Sequence, residues 1–280
     1  MHDPFKITGP TCISFSGGRT SAYMLWRVLQ SHGGALPEGA HVIFANTGKE
    51  AEESLLFVRD CSKRWDVPIL WVEYLRGGDY ARTGFETASR DGQPFDALIL
   101  DRQYLPNPVA RFCTIELKII PAIKLMRDLG YAEHDNLIGF RADEPARVAK
   151  IYADPSGGAK GVDRTVPLAE AGISRLDVHR FWNAQPFNLD LPDNAGKTMH
   201  GNCDLCFLKP PAQRLSLIRE KPTAAIWWIA KEALIQSRKM ANGARFTKDG
   251  PSYAQMLAYS QSQNEMFDPD EEAIACFCGE

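Results

Sequence analysis

The sequence predicts an α/β fold: a mostly parallel twisted sheet with helices on both faces and a C-terminal helical extension. Three observations predict it. Apolar runs at Cys12–Phe15, His41–Ala45 and Pro68–Tyr74 alternate with helical periodicity at Ser21–Leu29 and Glu50–Trp65. Strand alternating with helix is the pattern of parallel strands joined by crossover helices. The first two runs end in turn sequences, Ser16-Gly17-Gly18 and Asn46-Thr47-Gly48, at the strand ends where open α/β sheets carry ligands. Finally, 280 residues, 44% of them hydrophobic, suffice for a sizeable core.

In chain order, Tyr23, Met24, Trp26, Val28 and Leu29 supply the apolar positions of the first helix, and Gly33-Gly34 stops it. Leu55, Leu56, Val58 and Trp65 do the same for the second. Gly77 to Arg111 is rich in polar and turn residues and is expected to be a mobile surface segment. Glu116–Leu129 reads as a helix and Asn136–Phe140 as a strand followed by a charged loop. Ala153–Val162, with Pro155, Gly157 and Gly158, reads as a flexible loop. Ser174 caps a short helix to Trp182, with Asp177 three residues on completing a capping box. Ala212–Ser237 is helical with an interruption near Pro222, and the tail after Asn242 has no strong period.

The net charge of −3 leaves no polyanion-binding tail. No stretch is long and apolar enough to span a membrane, and Met1 to Lys6 has no signal-peptide pattern, so a cytoplasmic protein is expected. In that reducing compartment the seven cysteines are expected to be thiols, and paired spacings point to metal or redox chemistry.

Ser16-Gly17-Gly18-Arg19-Thr20-Ser21 lies between the first strand and the first helix. Glycines there let backbone approach a phosphate, and the helix start presents unpaired N–H groups and a positive dipole end. Ser16, Thr20 and Ser21 add hydroxyls and Arg19 a charge. The ordinary alternative is a tight turn capped by serine. The hexapeptide resembles the PP-loop of ATP pyrophosphatases and phosphoadenylyl-sulfate (PAPS) reductases, with Arg19 and Thr20 where those enzymes usually carry Lys and Asp. That replacement keeps the positive charge but removes a carboxylate, and with it any role that carboxylate plays with Mg2+. Asn46-Thr47-Gly48, with Glu50 and Glu53 after it, resembles the family's Asp-Thr-Gly segment near the nucleotide. Gly139 to Arg147 is similar to its Gly-x-Arg-x-x-Glu-Ser-x-x-Arg segment, so Arg141 and Arg147 are expected to grip phosphate or sulfate. Pro167-Leu168 and Asp177-Val178 resemble a further, structural segment. The resemblance runs from about Cys12 to about Pro210. It implies a nucleotide-binding domain over residues 1–210, and residues 211–280 form the helical extension and cysteine-bearing tail.

Cys203-Asp204-Leu205-Cys206 places two thiols at a spacing that reaches one metal or cluster. Cys113 to Pro121 resembles the Cys-Cys-x-x-x-Lys-x-x-Pro segment of adenylyl-sulfate reductases, with Thr114 at the second cysteine and Lys118 at the lysine. The resemblance implies a [4Fe–4S] cluster on Cys113, Cys203 and Cys206, with an open iron or with Cys276 or Cys278 as fourth ligand; a structural zinc is the alternative. Cys278 matches the C-terminal nucleophile of sulfonucleotide reductases, and Lys118 is expected to face the cluster or the nucleotide. Cys12 and Cys61 read as packing residues, as do Trp227 and Trp228.

The activity implied is sulfur chemistry on an adenine nucleotide. Either ATP adenylates an acceptor before sulfur transfer, as in thiolation and DNA phosphorothioation enzymes, or a thiol reduces PAPS or adenylyl sulfate. Implied partners are a thioredoxin-like reductant or sulfur donor, a nucleic-acid acceptor and a second copy of the chain in a homodimer. A compact variant of a metabolic enzyme would suit a phage. The alternative class is a non-catalytic nucleotide-binding module stabilised by a metal or cluster.

Overall fold

The computed structural model describes residues 2–194, 196–238 and 243–262. Its centre is a six-stranded sheet in the order β4-β3-β2-β1-β5-β6. The strands are β1 (Thr11–Phe15), β2 (Ala40–Asn46), β3 (Ile69–Leu75), β4 (Asp79–Thr83), β5 (His134–Leu137) and β6 (Val162–Thr165). All neighbours pair in parallel except β3 with β4. The fold class read from the sequence is the one observed.

Helices α1 (Arg19–Ser31) and α2 (Glu52–Arg64) follow β1 and β2. Gly33 and Gly34 both take positive φ and end α1, Gly34 N–H donating to the Leu29 carbonyl at 2.8 Å. Glu52 and Glu53 open α2 and Lys63 and Arg64 close it, each charge favourable to the helix dipole. The main core contains Ile13, Phe15, Met24, Leu25, Val42, Phe44, Phe57 and Val58. Cys61 is fully buried in this core and Cys12 in a separate cluster with Ile43, Val72, Leu125 and Met126; burial pushes the Cys12 thiol up to about 12, so packing is their role.

The segment from Gly77 to Arg111 is more ordered than its composition predicts. It holds β4 and the helix α3 (Gln93–Arg102), whose Phe95, Leu98 and Ile99 are buried. The sequence hides both for physical reasons. β4 is a half-exposed antiparallel edge strand of polar residues, and α3 buries only four of its ten residues. Next come α4 (Phe112–Thr114), a π-helical turn at Ile115–Ile119 and α5 (Ile120–Asp128). Such turns concentrate at functional sites.

After β5 come α6 (Pro145–Ala153), α7 (Pro167–Glu170) and α8 (Arg175–Asn183), with the predicted Ser174–Asp177 capping box at the start of α8. A small hairpin, β7 (Asp193–Asn194) and β8 (Lys197–Thr198), follows. Helices α9 (Pro211–Glu220), α10 (Ala224–Ser237) and α11 (Tyr253–Ser262) complete the described chain. They build a second core with α3 and the residues around Cys203, in which Trp228, Phe246 and Tyr253 are fully buried. The break between α9 and α10 falls at Pro222, as expected; α11 had no signal in the sequence. No described helix is long and apolar enough to cross a membrane.

Candidate functional site

Strand order alone locates the crevice. From β1 the chain builds outward through β2, β3 and β4, then returns to place β5 on β1's other side. β1 and β5 are therefore the switch point, beyond whose carboxyl ends an open α/β sheet binds its ligand. A cavity of about 380 Å³ lies there. Its walls come from the ends of β1 (Ser14, Phe15, Ser16) and β5 (Asn136, Ile138, Phe140), and from the π turn and α5. The lining includes Arg111, Lys118 and Arg164 and no carboxylate, although the chain as a whole carries a net charge of −3. At the floor, the Ser14 hydroxyl donates to Asn136 Oδ1 at 2.7 Å.

Ser16 also lines a second, small pocket of about 20 Å³, room for about one water. This pocket contains the whole turn Ser16 to Thr20, with Glu50, Ser54 and residues of the 189–202 segment. The turn is stapled from within. Ser16 N–H donates to Ser21 Oγ at 3.1 Å, and the Ser21 hydroxyl reaches the Gly18 carbonyl at 3.0 Å. Gly17 takes φ +78, and a Cβ there would lie 3.2 Å from Phe44 Cε2. Gly17→Ala is therefore expected to cost about 1–2 kcal/mol of stability, read by thermal melting. Gly18, at φ −105, has an ordinary backbone, so Gly18→Ala should leave the melting temperature nearly unchanged.

Arg19 is placed differently from the phosphate grip expected of it. Its guanidinium donates to Asn188 Oδ1 (2.7 Å), Thr198 Oγ1 (2.9 Å) and the carbonyls of Leu189 (2.5 Å) and Leu191 (3.3 Å), and pairs with Asp193 at 3.5 Å. It fastens the 188–198 segment over the turn. Thr20 accepts from Arg141 Nη1 at 3.0 Å, so Arg141 does reach the loop. Arg147 pairs with Glu144 and lies over the Phe140 ring, 4.1 Å from its centroid. Its Nε and Nη2 are buried without a hydrogen-bond partner beside that cavity wall.

Asn46 is fully buried. It donates to Glu73 Oε1 (2.5 Å) and the Ser89 carbonyl (2.8 Å) and accepts from Gly48 N–H (3.2 Å), shaping the turn from below. Gly48 takes φ +75, and a Cβ there would lie 2.9 Å from Gly92 N, so glycine is required on both counts. Thr47 gives its N–H and hydroxyl to the Glu50 carboxylate, both at 2.9 Å, and its Oγ1 lies 3.4 Å from Cys203 Sγ.

Glu50 is the site residue the sequence underplayed. Its side chain is only 3% exposed, it lines the small pocket at the Ser16–Thr20 turn, and Lys118 Nζ of the larger cavity stands 3.9 Å away. The Cys203 loop is strapped to the same turn. Glu50 and Cys203 form an isolated antiparallel bridge, Asp204 N–H donates to the Lys49 carbonyl at 2.7 Å, and Lys49 Nζ pairs with Asp204 at 3.0 Å. Burial pushes the Cys203 thiol well above its ordinary range. Glu50 and Cys206 add to that, while Lys118 and the Thr47 hydroxyl oppose it. One local signal pointed here: an acidic residue three positions after Thr47 that fails to start the helix, which begins at Glu52.

Cys113, Cys203 and Cys206 belong to one apolar cluster. Among the described residues no three His, Cys, Asp or Glu side chains converge to hold a metal ion. Cys276 and Cys278 lie outside the described residues.

No protein-family model matches the chain. An uncharacterized nin region protein, ORF290, of Escherichia phage lambda is 31% identical over 217 residues, covering 73% of this chain and 68% of that protein.

Proposed function

The chain belongs to the family of the nin region protein ORF290 of Escherichia phage lambda, and we propose that this phage-related protein is an enzyme that binds an adenine nucleotide. The nucleoside occupies the switch-point cavity, and the phosphates run past Ser16 to the mouth of the small pocket at the turn before α1. One observation carries the reading: a 380 Å³ cavity between β1 and β5 shares Ser16 with a glycine turn at a helix N-terminus. A drug-sized ligand needs about 300–1,000 Å³. The unpaired N–H groups that open α1, the Ser16 hydroxyl and Lys118 would stabilise charge on the phosphates. Arg141 would hold Thr20 in place.

The chemistry proposed is sulfur chemistry, supported by the placement of Cys203 beside Thr47 and Glu50. ATP-dependent adenylation with sulfur transfer is the first version, and reduction of PAPS or adenylyl sulfate the second. The described cysteines do not form a metal-holding group, so no step is routed through a cluster or zinc.

Pyrophosphate release from ATP, assayed with and without a nucleic-acid acceptor, tests the first version. Adenosine bisphosphate formation from PAPS with thioredoxin tests the second. Saturable nucleotide binding with neither turnover would leave the non-catalytic module, a reading favoured by the full engagement of Arg19 with protein acceptors.

A further inference from the structure

Nothing in nucleotide binding by itself requires Glu50 to be joined to a thiol loop, yet the two are joined four ways. The backbones of Glu50 and Cys203 bridge. The Thr47 hydroxyl touches both the Glu50 carboxylate and the Cys203 sulfur. Asp204 is held to Lys49 by its N–H and by its carboxylate. Asn202, next to Cys203, takes φ +61 and lines the phosphate-side pocket together with Glu50. Positive φ at a residue other than glycine is uncommon and clusters at functional sites.

We propose that Glu50 is a positioning residue that relays occupancy of the phosphate pocket to the Cys203 loop, so that a bound phosphate chain unlocks the thiol. The proposal rests on the nucleotide reading above. The physical reason is charge. A phosphate at the mouth of this water-sized pocket brings negative charge against a carboxylate that has little access to water. It also competes for Lys118, the cation 3.9 Å from Glu50. Both effects turn the carboxylate away from Thr47 and loosen the turn that the Cys203 loop is strapped to.

The test measures the rate of Cys203 alkylation by iodoacetamide in the full chain, read by peptide mass spectrometry, with binding followed separately by equilibrium dialysis. The probes are ATP and inorganic pyrophosphate. Saturating ATP is expected to accelerate alkylation on the order of tenfold, a coupling of about 1.4 kcal/mol. Glu50→Gln should alkylate fast without ligand and respond little to it. Lys118→Gln keeps every backbone donor to Glu50, and its acceleration should fall below about threefold, which tests the relay even if the Glu50 variant does not fold. An unchanged rate while ATP binds would overturn the relay and leave the nucleotide reading standing. Equal protection in wild type and Glu50→Gln would also overturn it, because direct shielding would then explain the effect. Acceleration by pyrophosphate without ATP binding would keep the relay and sink the nucleoside assignment. Failure of both probes to bind would overturn both.

Discussion

Ile138→Trp is expected to weaken nucleotide binding by about 100-fold, near 2.7 kcal/mol, while the melting temperature moves by no more than roughly 3 °C. Ile138 follows β5 and lines the switch-point cavity together with Ser16 and residues of the π turn. It is partly exposed and packs against the Phe140, Ile151 and Val166 cluster while also lining the cavity, so an indole there takes up cavity volume at an overpacking cost of about 1 kcal/mol. Ser16 shares that cavity with Ile138, but the hydrogen bonds between Ser16 and Ser21 that staple the turn do not involve Ile138. Inorganic pyrophosphate should therefore still bind the variant. Loss of ATP and pyrophosphate together would point to a collapsed fold. Unchanged ATP affinity would mean that the cavity is not where the nucleoside sits. Calorimetric titration with both ligands distinguishes these outcomes.

Trp182→Ala is expected to cost about 3–5 kcal/mol, lowering the melting temperature by roughly 10 °C for a chain of this size. Trp182 is 1% exposed and packs on Phe57, Trp65, Phe181 and Phe187, with ring centroids 4.9–6.1 Å away. Its Nε1–H donates to the Arg19 carbonyl at 2.8 Å, tying α8 to the start of α1. Truncation leaves a large cavity and also deprives that carbonyl of its donor. Trp182→Phe keeps the packing and loses the hydrogen bond, so it should cost less, about 1–2 kcal/mol. A shift below about 2 °C for the alanine variant would show that α8 does not brace the phosphate turn.

The fold was legible because parallel strands buried on both faces read as apolar runs, as β1 and β2 do. β4 and α3 were not, because an edge strand and a shallow helix carry no such contrast. At the site, the glycine turn announced itself through Gly17, whose backbone only glycine adopts comfortably. The roles of its neighbours did not. Arg19 reads as a phosphate ligand, but its partners come from residues 188–198, and nothing local encodes a contact 169 residues away. Glu50 reads as a residue favoured before a helix; only the folded chain brings Cys203 and Lys118 against it. Thiol spacing at Cys203 and Cys206 was visible, but the convergence that a metal requires depends on tertiary geometry.

In the proposed mode of binding, the base of an adenine nucleotide lies in the cavity between β1 and β5. Photolabelling with 8-azido-ATP, followed by peptide mapping, tests it most directly. Saturable labelling, displaced by unlabelled ATP, is expected within residues 111–123 or 136–140 of the cavity wall. Displaceable label confined to helices α9, α10 or α11, or no saturable label at all, would contradict it.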